Sequence, residues 1–302
     1  MIQEKSGLQA LDPKLVAEIK RLRIVTRRSL NCEVLGQYRS AFRGQGLQFA
    51  DLRPYVPGDD VKHIHWKATA RASQVYVKSF EEERQAKILL CVDCSASTLQ
   101  GAKKNQQQRA LEFAALVTLL ASRQGDATGL CLFSDEIELF LPARTQRSQQ
   151  HAILRELSQS RRAKPQTDLA KSLRSLRSRL HGRHILFIIS DFYTPKFDDE
   201  LKMLALRHDV ILVHLEDGFE SQVPKVGLAI FSDLESGEII EVDLGSARVR
   251  NEIRLVYQKR AAELKKLAQN IGVDTMRLGS KPVEALATLM RQRIAKSYTR
   301  GR

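Results

Sequence analysis

Residues 87–97 read KILLCVDCSAS. The unbroken apolar run Ile88 to Val92 is strand-length and lacks in/out alternation, so it predicts a strand buried on both faces, Ile88 to Asp93. Such strands belong to parallel sheets covered by helices on either side. Asp93, Ser95 and Ser97 then alternate just past the carboxyl end of that strand. Open α/β sheets bind their ligands at that end, where the strand order reverses.

The rest of the chain supports this reading. Helical spacing predicts helices over Arg109 to Arg123, Ser148 to Arg161, Asp168 to Leu180, Val249 to Asn270 and Pro282 to Ala295. Strands are predicted at Gly129 to Phe133, Ile137 to Leu141, Ile185 to Ile189, Val210 to Leu215 and Val273 to Arg277, with a hairpin over Gly227 to Val242. The fold class is therefore α/β, a doubly wound, mostly parallel sheet over residues 86–302. Residues 1–85 read as an extension: a helix opened by Asp12-Pro13, then loops and short strands, Val75 to Val77 the clearest.

Two distant segments join the loop after the first strand. Thr167 directly precedes the Asp168 helix, and Asp191 follows the buried run ILFIIS. Two acids and three hydroxyls suit a hard divalent cation, which takes oxygen ligands and retains water. Asp93, Ser95, Ser97, Thr167 and Asp191 are thus candidate metal ligands. Serine and aspartate after strands are also ordinary turn residues, so the case rests on all five positions together.

This five-residue pattern resembles the metal-ion-dependent adhesion site of von Willebrand factor A domains. The resemblance implies a Rossmann-like fold of that type. It also implies a bound divalent ion, Mg²⁺ in first place with Mn²⁺ or Ca²⁺ as alternatives. Serines and threonine would bind it directly and the aspartates through water, leaving one position open for an acidic residue of a partner.

A second resemblance lies upstream. Residues 44–60, GQGLQFADLRPYVPGDD, lead into residues 63–71, HIHWKATAR. These segments are similar to the signature of the bacterial family called domain of unknown function 58. His65 departs from the aspartate expected between Ile64 and Trp66. Members commonly occur with MoxR-type AAA+ ATPases and other von Willebrand factor A proteins, so the resemblance implies a protein-interaction adapter rather than an enzyme. Within the signature, Asp59, Asp60, Trp66, Lys67 and Arg71 are read as partner-binding or structural. The structural version buries the Trp66 ring and links Asp59, Asp60, Lys67 and Arg71 as ion pairs.

Composition narrows the alternatives. Of 302 residues 43% are hydrophobic, enough for a sizeable core, yet no apolar run is long enough to span a bilayer and no signal peptide is read. A cytoplasmic protein is expected. Four cysteines give no disulfide framework, and the Cys91/Cys94 pair reads as small buried residues rather than a redox motif. Residues 1–80 hold 14 basic and 7 acidic side chains, residues 81–247 hold 21 and 24, and residues 248–302 hold 14 and 4. The basic ends could attract nucleic acid, but few aromatics are interleaved for stacking. A Mg²⁺-dependent phosphatase would need a carboxylic acid where Ser95 stands, and serine cannot serve as that general acid.

Overall fold

A computed structural model describes residues 38, 41–42, 47–71, 74–82, 85–95, 106–158, 167–216, 223–232 and 239–300. The expected helix after Asp12, Ser97, and the turn at 235–237 lie outside these. The chain forms two compact units, Phe42–Ala86 and Met1–Ala41 with Lys87–Arg302.

The larger unit is built on a mixed six-stranded sheet, with strands β3 (Lys87–Asp93), β4 (Ala127–Phe133), β5 (Ile137–Arg144), β6 (Ile185–Ser190), β7 (Asp209–Leu215) and β10 (Asp274–Leu278). Their order is β10-β7-β6-β3-β4-β5, all parallel except edge strand β5, which pairs antiparallel to β4. Succession leaves β3 in both directions, so the order reverses between β3 and β6. From Ile88 onward every β3 residue is buried, as the unbroken apolar run requires.

Among the described residues six helices accompany the sheet: α1 (Gln106–Gln124), α2 (Arg147–Ser158), α3 (Leu169–Arg179), α4 (Asp198–Ala205), α5 (Ala247–Ile271) and α6 (Pro282–Arg300). Strand alternation divides the core. Leu89, Cys91, Leu186, Ile188 and Leu212 share one cluster with Leu169, Leu173 and Leu176 of α3 and Leu201 and Leu204 of α4. The opposite face carries Leu90 and its register partner Phe187, whose ring meets Phe113 of α1 edge-on at 6.0 Å. Helix α4 has no counterpart among the expected elements, because eight residues with two buried leucines give too weak a period. Asp198, Asp199 and Glu200 fill its first turn, where the helix dipole favours acids. The expected hairpin is present as a separate antiparallel ribbon of β8 (Leu228–Ser232) and β9 (Ile239–Asp243).

Gly129 shows how closely β4 and β5 approach. A Cβ there would stand 2.5 Å from the Leu141 carbonyl oxygen and 2.8 Å from the Ala143 nitrogen. The ladder shifts register at this point, between Thr128 and Leu130.

The smaller unit pairs β1 (Leu47–Pro54) antiparallel with β2 (Tyr76–Glu82). The loop between them holds a 3₁₀ turn at Val61–His63 and one helical turn at Trp66–Thr69. Three expectations need correction here. Trp66 is 66% exposed rather than buried, because its helical turn carries the ring outward. Asp59 pairs with Arg53 instead of the expected cations, through two short bonds of 2.6 and 2.8 Å. The Arg53 guanidinium, followed by the Val56 N–H, holds the Asp59 carboxyl below its usual range. Asp60 accepts the Lys62 N–H at 3.0 Å and caps the 3₁₀ turn. Arg71 is exposed, and the Lys67 side chain lies outside the described residues.

Candidate metal centre

Asp93 ends β3 and is wholly buried. It continues the face of Leu89 and Cys91, and the parallel register sets Ser190 of β6 beside it. The Ser190 hydroxyl donates to Asp93 Oδ2 at 2.6 Å, a short bond of the kind carboxylates accept. Asp93 Oδ1 accepts the Ser95 N–H at 2.9 Å, which turns the chain so that Ser95 is also buried.

The β6 end is equally tied down. The Ser190 hydroxyl accepts the Phe192 N–H at 2.9 Å, and Asp191 Oδ1 accepts the Tyr193 N–H at 3.0 Å. Phe192 has φ of 57°, the only described non-glycine residue with positive φ. That conformation costs of order 1–3 kcal/mol for such a side chain and tends to persist at functional sites. It is held by ring contacts with Phe197 at 5.9 Å and His214 at 6.3 Å. Arg260 stands 4.2 Å over the neighbouring Tyr193 ring.

Thr167 arrives from the third segment. Asp168 caps α3 by accepting the Lys171 N–H at 2.8 Å, and its own N–H donates to the Ser134 carbonyl at 3.2 Å. Thr194, three residues beyond Asp191, donates its hydroxyl to the Thr167 carbonyl at 3.3 Å and accepts the Leu169 N–H at 3.4 Å. Asp93, Ser95, Thr167 and Asp191 are thus brought to one end of the sheet, at the reversal of strand order. Ser97 lies outside the described residues. Ser190, Thr194 and Phe192 were not among the expected site residues. Only the serine closing an otherwise apolar strand, beside Asp191, hinted at the first of them.

The donor set can be tested against a metal ion by one observation. Thr167 Oγ1 is buried and meets no hydrogen-bond partner among the described residues. Such a hydroxyl carries a desolvation cost of about 1–3 kcal/mol unless something else engages it. A hard cation would, using oxygen it prefers. Among the described residues no three His, Cys, Asp or Glu side chains cluster, so an ion here would draw on hydroxyls and water as well as on Asp93 and Asp191. Cysteine chemistry is disfavoured: Cys91, Cys94 and Cys131 are buried thiols outside any disulfide among the described residues, and the Cys131 contact and burial push the Cys91 thiol well up.

The sequence profile described as "Protein of unknown function DUF58" matches residues 51–263. The chain belongs to this family. Over 271 residues it is 30% identical to an uncharacterized protein of Mycobacterium tuberculosis, covering 88% of this chain and 85% of that one. The same values hold for an uncharacterized protein of Mycobacterium bovis. Among solved structures, it is similar to an aerotolerance-related membrane protein from Bacteroides fragilis, with a TM-score of 0.43 and 13% identity over 70% of this chain and 99% of that one. The DUF58 match spans all four described candidate ligands. It also includes His65, whose Nδ1 accepts the Ala68 N–H at 3.0 Å and caps the Trp66–Thr69 turn. An aspartate could make the same cap, so the departure from the signature preserves the local bond. Among the described residues no helix is long and apolar enough to cross a membrane.

Proposed function

We propose that this DUF58 protein is a cytoplasmic, metal-dependent adapter for protein–protein interaction, and that it works with a MoxR-type AAA+ ATPase in assembling or remodelling a protein complex. The observation that carries the metal part is the buried Thr167 hydroxyl without a partner among the described residues, on the same sheet end as Asp93 and Asp191. The strand order runs outward from β3 in both directions, as a doubly wound sheet would require. It supports the von Willebrand factor A-like reading.

Asp93, Ser95, Ser97, Thr167 and Asp191 would hold the ion, Mg²⁺ first. The bound ion would supply an electrophilic position for a carboxylate oxygen of the partner. The chain's own residues prepare that position. Ser190 and the Ser95 N–H fix both Asp93 oxygens, and the Tyr193 N–H fixes one oxygen of Asp191. Ser95, where a phosphatase would carry its general acid, favours binding over catalysis.

The test is calorimetric titration of the full chain with MgCl₂, MnCl₂ and CaCl₂, followed by capture of a purified MoxR-type ATPase with and without EDTA. One saturable site, lost in Thr167→Ala, and capture that EDTA abolishes are expected. No heat and no thermal shift with any of the three cations would overturn the metal part. Capture that is indifferent to EDTA would overturn the adapter mechanism.

A further inference from the structure

Helices α3 and α4 bury Leu173, Leu176, Leu201 and Leu204 in the core. Outside that seam they leave an open groove of about 780 Å³. Its lining includes two exposed apolar side chains, Met203 at 46% and Leu206 at 78%. Lys171, Arg174, Arg177 and Arg207 line it as well. Among the described residues no carboxylate lines it; Glu200, which Arg174 and Arg177 engage at 2.8 and 3.5 Å, lies beyond the lining. Arg177 and Arg207 also border a smaller cavity of about 270 Å³, together with Leu180 and His208.

We infer that this groove binds an acidic amphipathic segment of a partner protein. Lys171 and Arg207, with Arg174 and Arg177 that share Glu200, line the same groove as an exposed methionine and leucine, a combination that can steer acidic side chains while an apolar anchor is desolvated. Methionine adapts to differently shaped anchors. Nucleic acid fits less well. No aromatic ring lines the groove for base stacking, and Leu206 would contribute nothing to phosphate binding. The inference does not depend on the metal centre, although Thr167 directly precedes the α3 cap Asp168 and one partner could reach both.

The test is fluorescence anisotropy on the full chain, in EDTA so that the metal centre plays no part. The probe is a labelled amphipathic peptide of glutamates and leucines, compared with versions carrying serine for leucine or lysine for glutamate, and with a single-stranded DNA oligonucleotide. The glutamate–leucine peptide is expected to bind, and each altered peptide to bind roughly tenfold or more weakly. Leu206→Ser and the double variant Lys171→Glu/Arg207→Glu, all at exposed positions, are each expected to weaken binding to a similar degree with unchanged thermal stability. Absence of peptide binding, or binding that neither variant changes, would overturn the inference. So would DNA binding that depends on Lys171 and Arg207 but ignores Leu206→Ser, since that would make the groove a nucleic-acid surface.

Discussion

Replacing Thr167 by valine should move stability in opposite directions with and without metal. The hydroxyl is buried and has no partner among the described residues, so exchanging it for a methyl of similar shape removes a desolvated polar group. Such a group costs about 1–3 kcal/mol. Some of that is already offset by packing, so the variant should be more stable by about 1 kcal/mol in EDTA, roughly 2–4 °C in Tm for a protein of this size. The backbone bonds are untouched, because Thr194 uses the Thr167 carbonyl and Asp168 caps α3 with its own side chain. In Mg²⁺ the order should reverse. The wild type gains about 2.7 kcal/mol at a hundredfold excess over Kd, and the valine variant loses most of this. The assay is thermal unfolding of both proteins across a MgCl₂ titration, with EDTA as the zero point. The reasoning is refuted if Thr167→Val is less stable than wild type in EDTA, or if both proteins rise equally with metal.

Three further outcomes are expected. Gly129→Ala places a Cβ within 3 Å of β5 backbone atoms and should cost about 1–3 kcal/mol by overpacking; an unchanged urea midpoint would contradict the close approach. His65→Ala should destabilise the smaller unit by about 1 kcal/mol while His65→Asp stays within a few tenths, measured by hydrogen exchange at Ala68, whose N–H the cap occupies. His208 accepts the His184 N–H through Nδ1, and burial, then His184, Arg207 and Arg183, push its pKa down to about 4. The unfolded chain therefore takes up a proton near pH 6.5 that the native state refuses, so this contribution is complete above that pH and is lost as pH falls toward 4. His208→Asn keeps an acceptor but cannot titrate, and its urea midpoint should fall less than that of the wild type between pH 7 and pH 4.5; parallel profiles would remove His208 from the account.

Local pattern was enough for most of the sheet. The runs at Ile88 to Val92, Ile185 to Ile189 and Val210 to Leu215 are apolar without alternation, and only burial on both faces suits them, so all three appear as central strands. Trp66 misled because its size suggests burial, whereas exposure depends on where a four-residue turn aims it. The basic groove was hidden by segment counts: residues 81–247 hold more acids than bases, yet folding brings Lys171, Arg174, Arg177 and Arg207 to one groove.

The candidate centre divides along the same line. Asp93, Ser95, Thr167 and Asp191 were legible because each stands at the edge of a strand or helix whose period is local. Ser190 and Thr194 were not. Their roles come from bonds across 97 and 27 positions of sequence, which exist only once β6 lies parallel to β3 and α3 packs on that face. Sequence by itself determined which residues could serve as oxygen donors and on which elements they sit. Tertiary structure alone decided which donors meet, which are already satisfied, and that the Thr167 hydroxyl is left over, because pairing between distant strands is a property of the packed sheet and of no single segment.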